Sequence, residues 1–94
     1  MKYTVTIAMP IYNVAPYVEK SLLSALNQTF VDIEYLLVDD KGTDESMDIV
    51  HRIISMHPRG KNVRIIDQKY NQGTAAARNV MVANATGEYL FIMD

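Results

Sequence analysis

Ile33-Glu34-Tyr35-Leu36-Leu37-Val38-Asp39-Asp40 is the stretch on which the fold turns. Its centre, Tyr35 to Val38, is apolar without alternation, the pattern of a strand covered on both faces. A strand from Ile33 to Asp39 that is buried above and below needs helices as neighbours. Both flanks supply one. Upstream, from Pro16 to about Gln28, Val18, Leu22, Ala25 and Leu26 fall at i, i+4, i+7 and i+8, an amphipathic stripe. Pro16 suits a first helical turn, where its missing N–H costs nothing. Downstream, Met47, Val50, Ile53 and Ile54 form a second stripe. Thr43 or Asp44 can cap that helix, and Pro58 and Gly60 end it.

The same alternation continues outward. Tyr3 to Met9 is rich in Val, Ile, Thr and Tyr and reads as the first strand, which Pro10 is expected to stop. Val63 to Asp67 is the third strand. Gly73 to about Ala85 is the third helix, with three consecutive alanines favouring it. Gly87 is predicted as its left-handed C-terminal residue, and Tyr89 to Met93 as the fourth strand. Strands separated by single helices run parallel with right-handed crossovers. The fold class is therefore α/β, a doubly wound, mostly parallel sheet with helices on both faces. Its expected strand order is 3-2-1-4, the first half of a Rossmann-like sheet. Residues 1–94 make a single domain.

Composition narrows the function. The 94 residues are 49% apolar and 21% charged, ordinary for a globular chain and too apolar for disorder. Nine Lys and Arg against eleven Asp and Glu leave a formal charge of −2, which excludes the basic balance of a general nucleic-acid binder. Without cysteine there is no disulfide framework, thiolate metal site or cysteine nucleophile. No apolar run reaches the ~18–20 residues of a membrane span. Threonines alternate through Tyr3 to Ala8 and no small-residue cleavage site follows, so this segment is a strand and not a signal peptide. The six methionines and the scattered aromatics are expected mostly in the core. His51 and His57 are six residues apart, off the spacing that puts two ligands on one helical face, and read as surface or helix-end residues. The chain ends on Phe91-Ile92-Met93-Asp94, inside an apolar strand. It is expected to be the N-terminal piece of a longer protein, and its uncovered fourth strand is expected to drive self-association.

In an open parallel sheet, ligands bind at the carboxyl ends of the strands beside the reversal of strand order. Here those ends carry Pro10-Ile11-Tyr12-Asn13, Asp39-Asp40, Asp67-Gln68 leading to Asn71-Gln72-Gly73, and Asp94. Adjacent carboxylates repel and lose hydration at a buried strand end, so Asp39 and Asp40 favour a ligand role. Asp44, Glu45 and Asp48 read as first-turn helix acids. Tyr12 is either a core tyrosine or a ring that stacks on a flat base. Asn13 and Asn27 are turn or cap residues by default. Gly73 allows a tight entry into a helix whose N-terminus favours an anion. Arg78, one turn inside, could hold a phosphate or carboxylate, or merely make a surface ion pair. Neither G-x-G-x-x-G nor a P-loop motif is present.

Four segments in order, Pro10-Ile11-Tyr12-Asn13, Asn27-Gln28-Thr29-Phe30 with Val38-Asp39-Asp40, Asn71-Gln72-Gly73 with Ala77-Arg78-Asn79, and Gly87-Glu88-Tyr89 through Asp94, resemble the N-terminal half of the family 2 glycosyltransferases, which have the GT-A fold. The resemblance spans nearly the whole chain. It implies an enzyme that binds a nucleoside-diphosphate sugar, a UDP-sugar being favoured, and transfers the sugar to a glycan or lipid-linked acceptor. By the same resemblance, Pro10, Tyr12, Asn13, Asp39 and Asp40 would hold base and ribose, with Asp40 on the base. Gly73 and Arg78 would lie beside the nucleotide and diphosphate. Asp94 matches the first aspartate of an Asp-x-Asp motif that binds a divalent metal, Mg²⁺ or Mn²⁺, and such a cation suits carboxylates and a diphosphate leaving group. Where the family commonly has Gly-Ser after the paired aspartates, this chain has Lys41-Gly42, a departure that bears on loop conformation more than on chemistry. The acceptor half and the catalytic base would lie beyond Asp94, so no catalytic residue is expected among the 94, and residues 1–94 alone are expected to be inactive. Cytoplasmic placement, or a peripheral one at the inner face of the membrane, follows from the same expectation. The rival readings are a receiver-type phospho-acceptor domain, which wants its acidic pair after the first strand, and a non-catalytic nucleotide-binding module.

Overall fold

The computed structural model describes residues 3–93. The elements are β1 (Tyr3–Ile11), α1 (Ala15–Leu26), β2 (Ile33–Asp39), α2 (Ser46–Met56), a single 3₁₀ turn at Gly60–Asn62, β3 (Val63–Asp67), α3 (Thr74–Asn84) and β4 (Gly87–Ile92). The sheet is parallel throughout, in the order β3-β2-β1-β4. The expected order 3-2-1-4 is the order found.

Alternation along the strands assigns each residue to a layer. Ile7, Met9, Ile11, Ile33, Tyr35 and Leu37 face α1 and α2, where they bury Val18, Leu22, Ala25, Leu26, Val50 and Ile53. Ala8, Leu36 and Val38 face α3 and bury Ala77 and Met81. The uninterrupted apolar run of β2 thus serves two cores at once. His57 closes α2: its Nδ1 accepts the Arg59 N–H, so Nε2 carries the proton and donates to Asn27 Oδ1 at 2.8 Å.

Four expectations need correction. Pro10 does not stop β1, which continues through Ile11 with Pro10 opposite Val38. Val5 donates to Asp32 and Ile11 accepts from Asp40, whereas Ala8 accepts from Met93. Odd residues of β1 therefore bond towards β2 and even ones towards β4. The Pro10 nitrogen faces the β4 side beyond the last paired residue, Ile92, so the ladder loses nothing there. Gly87 is not a left-handed helix terminator. It opens β4, and α3 ends through Ala85 in an extended conformation. A Cβ on Gly87 would stand 2.4 Å from Thr6 N and 2.7 Å from Thr6 Oγ1, so close approach to β1 is what requires glycine. The α2 helix starts at Ser46, and Asp44 serves it from outside: Oδ1 accepts from Ser46 N (3.0 Å) and Oγ (2.6 Å), while Oδ2 accepts from Ala15 N (3.0 Å). One carboxylate ties the starts of α1 and α2 together. The aromatics are not mostly core. Tyr35 is buried, but Tyr12, Tyr17, Phe30, Tyr70, Tyr89 and Phe91 are exposed, two of them on β4, which pairs with β1 along one side only.

The amino-terminal edge of the sheet is locked by Glu34, only 4% exposed. Its Oε1 accepts from Thr6 Oγ1 (3.0 Å), Thr86 N (3.1 Å) and Thr86 Oγ1 (3.0 Å). Its Oε2 accepts from Arg64 Nε (3.3 Å) and a terminal guanidinium nitrogen (3.1 Å). Arg64 also donates to the Asn84 carbonyl at the end of α3. Burial pushes the Glu34 carboxyl up, but the Thr86 N–H, the Thr6 and Thr86 hydroxyls and the Arg64 charge together outweigh it and hold the group below its ordinary value.

Candidate functional site

The carboxyl ends of β1 and β2 and the N-terminus of α3 enclose a pocket of ≈ 340 Å³ lined by Pro10, Tyr12, Val14, Asp40, Asn71, Gly73, Thr74 and Ala77. Pro10 continues the even-numbered face of β1 that packs on α3, and Asp40 does the same for β2. The alternation that builds the smaller core therefore also aims these side chains into one hollow. Gly73 precedes the first turn of α3 with φ +89° and ψ 170°, a conformation that L side chains rarely adopt. Helix α3 has no side-chain cap, so its first N–H groups face this end of the hollow.

Asp40 is 3% exposed. Its Oδ1 accepts the Gln72 N–H at 3.0 Å, and its Oδ2 accepts Asn71 Nδ2 at 3.1 Å. Asn71 Nδ2 also reaches the Asp40 carbonyl oxygen at 3.1 Å. Tyr12 is 47% exposed, which excludes a core role and leaves a ring open to solvent on the pocket wall. Of the residues singled out from sequence, Pro10, Tyr12, Asp40 and Gly73 converge on this hollow.

The others go elsewhere. Asn13 takes φ 51° and points its side chain away, its Oδ1 accepting from Thr43 N (2.7 Å) and Asp44 N (3.2 Å). It shapes the loop after β2, where Gly42 approaches so closely that a Cβ would meet Asn13 Oδ1 at 2.5 Å. Asp39, next to Asp40 in sequence, falls on the opposite face of the sheet. Its Oδ1 accepts the Lys41 N–H at 3.0 Å, and the Lys41 ammonium reaches both Asp67 and, at 3.8 Å, Asp39 Oδ2. The hydrogen bond to Asp67 raises the Lys41 amine above its ordinary value and lowers the Asp67 carboxyl below its own. Arg78 is exposed on α3, one residue past the pocket-lining Ala77. Asp94 lies outside the described residues.

Among the described residues no three His, Asp or Glu side chains come together as metal ligands. Asp39 and Asp67 are bridged by the Lys41 ammonium, which meets their charge without a metal. The described residues alone therefore assemble no divalent site, and Asp94, the residue expected to hold one, is not among them.

Asn71 is a polar residue of the pocket that sequence reasoning does not single out as a site member. Asn71 lines the pocket and grips Asp40, and its signal was available as the Asn-x-Gly sequence before α3. Gln68, outside the pocket lining and 8% exposed, has a side-chain nitrogen with no hydrogen-bond partner among the described residues. Its backbone N–H donates to Asp39 O at 3.1 Å, which extends the β2–β3 ladder one residue. A second hollow of ≈ 380 Å³ between α1 and α2 is lined by Glu19, Leu23, Arg52, Ile53, Met56, His57 and Pro58, remote from this edge. No helix among the described residues is long and apolar enough to cross a membrane.

Comparison with known proteins agrees with the fold. The sequence model of the family described as "Glycosyl transferase family 2" matches residues 6–94. An uncharacterized glycosyltransferase of Haemophilus influenzae is 40% identical over 90 residues, covering 96% of this chain and 35% of its own length. A hyaluronan synthase of Pasteurella multocida is 39% identical over 90 residues, 96% of this chain but 9% of the synthase. This chain thus spans about a third or less of these relatives. Among solved structures, a mannosyltransferase of Pyrobaculum calidifontis in complex with GDP-Man and Mn²⁺ superposes with a TM-score of 0.84 at 29% identity, covering 96% of this chain and 26% of that one. TarS of S. aureus in complex with UDP-GlcNAc gives 0.84 at 28% identity over 97% of this chain and 26% of that one. With a parallel sheet in the order 3-2-1-4, the structure is that of a GT-A glycosyltransferase, and the chain belongs to glycosyl transferase family 2.

Proposed function

We propose that residues 1–94 are the nucleotide-binding portion of a longer enzyme that transfers a sugar from a nucleoside-diphosphate sugar to a glycan or lipid-linked acceptor. The observation that carries this reading is the convergence of Pro10, Tyr12, Asp40 and Gly73 on one pocket at the carboxyl ends of β1 and β2 and the start of α3. The Tyr12 ring offers a flat wall for a base, and Asp40 offers an acceptor to a base N–H. The free N–H groups at the start of α3 suit the anionic part of the ligand, with Arg78 one turn further on. The two neighbours described with GDP-Man and UDP-GlcNAc support a nucleotide-sugar donor, and the choice of a UDP-sugar rests on the family resemblance of the sequence alone. Asn13 and Asp39 contribute by holding the loop after β2, not by lining the pocket. A divalent cation, Mg²⁺ or Mn²⁺, is assigned to Asp94 and residues beyond it. When bound it would neutralise charge on the departing diphosphate. The catalytic base also belongs to the rest of the enzyme, whose place is cytoplasmic or at the inner membrane face.

Calorimetry with UDP, UDP-sugars and GDP-sugars, with and without Mn²⁺, tests the reading. Binding that distinguishes the base and is strengthened by Mn²⁺ is expected. Binding indifferent to both overturns it. Residues 1–94 alone should give no sugar transfer, and their open β4, with Tyr89 and Phe91 exposed, should produce self-association in light scattering.

A further inference from the structure

We infer that Asn71 is a positioning residue: it turns the Asp40 carboxylate to the pocket as a fixed acceptor, and so selects bases that present a ring N–H. The inference rests on the nucleotide-binding reading above and deepens it. One nitrogen, Asn71 Nδ2, bonds both to the Asp40 carbonyl and to Asp40 Oδ2, each at 3.1 Å. An amide carries two N–H hydrogens and can serve both. Bridging the main chain and side chain of the same residue leaves the Asp40 carboxylate little rotational freedom. The Gln72 N–H holds the other oxygen, Oδ1, at 3.0 Å. All three bonds bring donors to Asp40 from the loop between β3 and α3.

A carboxylate has about four lone-pair positions, so two loop donors leave acceptor capacity for a ligand. Both Asp40 and Asn71 line the pocket. Uracil and guanine present a ring N–H at their pairing edge and can donate to this acceptor. Cytosine and adenine present a ring nitrogen lone pair at the same position, which meets the carboxylate lone pairs. A site built to bond one edge rejects the other because its buried polar group is left unpaired. Asn71 touches Asp40 and acts through it.

The test uses the full-length protein that carries this chain, with dissociation constants for UDP, CDP, GDP and ADP and a thermal melt for each variant. The wild type is expected to prefer UDP over CDP, and GDP over ADP, by about tenfold or more. Asn71→Asp keeps the shape but replaces the donor with an acceptor, and should shrink both ratios to about threefold or less. Asn71→Ser, too short to reach both Asp40 atoms, should fall between. A merely structural role would lower the melting temperature and weaken all four nucleotides together, leaving the ratios intact, and that result overturns the inference. The wild-type ratios need no variant, so a wild type without base preference overturns it even if Asn71→Asp does not fold. A wild type that binds none of the four nucleotides removes the underlying reading as well. Binding with preference intact in both variants removes only the role of Asn71.

Discussion

Strand β2 carries a buried carboxylate at each end of the same face, and the two are used in opposite ways. Glu34 at the amino-terminal edge and Asp40 just past the carboxyl-terminal edge are 4% and 3% exposed. Glu34 is saturated by β1, β3 and the turn before β4, and the Arg64 guanidinium balances its charge. Among the described residues, Asp40 receives the uncharged donors of Asn71 and Gln72 and no charged one, and it lines a pocket. Equal burial therefore says little about role. On the proposed reading, what separates a strut from a recognition group is whether the fold itself supplies a counter-charge and fills every lone pair.

The contrast can be broken most forcefully at Glu34. Glu34→Ala leaves Thr6, Thr86 and Arg64 without their acceptor and should cost about 3 kcal/mol in urea denaturation, while nucleotide affinity of the folded fraction stays at the wild-type value. Gly87→Ala drives a methyl against the Thr6 backbone at that edge and should cost about 2 kcal/mol by the same measurement. Asp40→Asn should reverse the emphasis: stability falls by about 1 kcal/mol, but nucleotide affinity in calorimetry falls about tenfold or more. Acid titration sharpens the difference. The Glu34 carboxyl sits below its ordinary value near 4.5 when folded, so its contribution is complete above that pH and is lost as pH falls through the lower folded value. Unfolding followed by circular dichroism should show this acid-side loss in the wild type and not in Glu34→Gln. The smallest effect is expected at Gln68. Gln68→Met removes an unpartnered buried donor and should raise stability by up to about 1 kcal/mol in a thermal melt.

The sequence reveals elements and topology well because periodicity records which faces are buried. The unalternating Tyr35–Val38 run demanded two layers, and two layers are present. It reads poorly wherever a residue's partner lies far along the chain. Pro10 looked like a strand breaker, and only the point at which β4 leaves the ladder shows that its missing N–H costs nothing. Gly87 looked like a helix terminator, yet the constraint comes from Thr6, 81 residues away. The same holds within the site. Asp39 and Asp40 were a single feature as text, but pleating sends one to Lys41 and the other to the pocket. Asn71 stands out in sequence through its Asn-x-Gly setting, but that its amide grips Asp40, 31 residues away, is visible only in the fold.

The two layers are unequal in thickness. Among the described residues, twelve buried ones join α1 and α2 to the sheet, against five on the side of α3. Local opening follows buried apolar contact, so the backbone amides of α3 should exchange with deuterium sooner than those of α1. The pocket borrows one of its walls from this looser sheet of side chains. An occupant gripping the start of α3 would then act as a splint, slowing exchange along a helix it touches only at one tip.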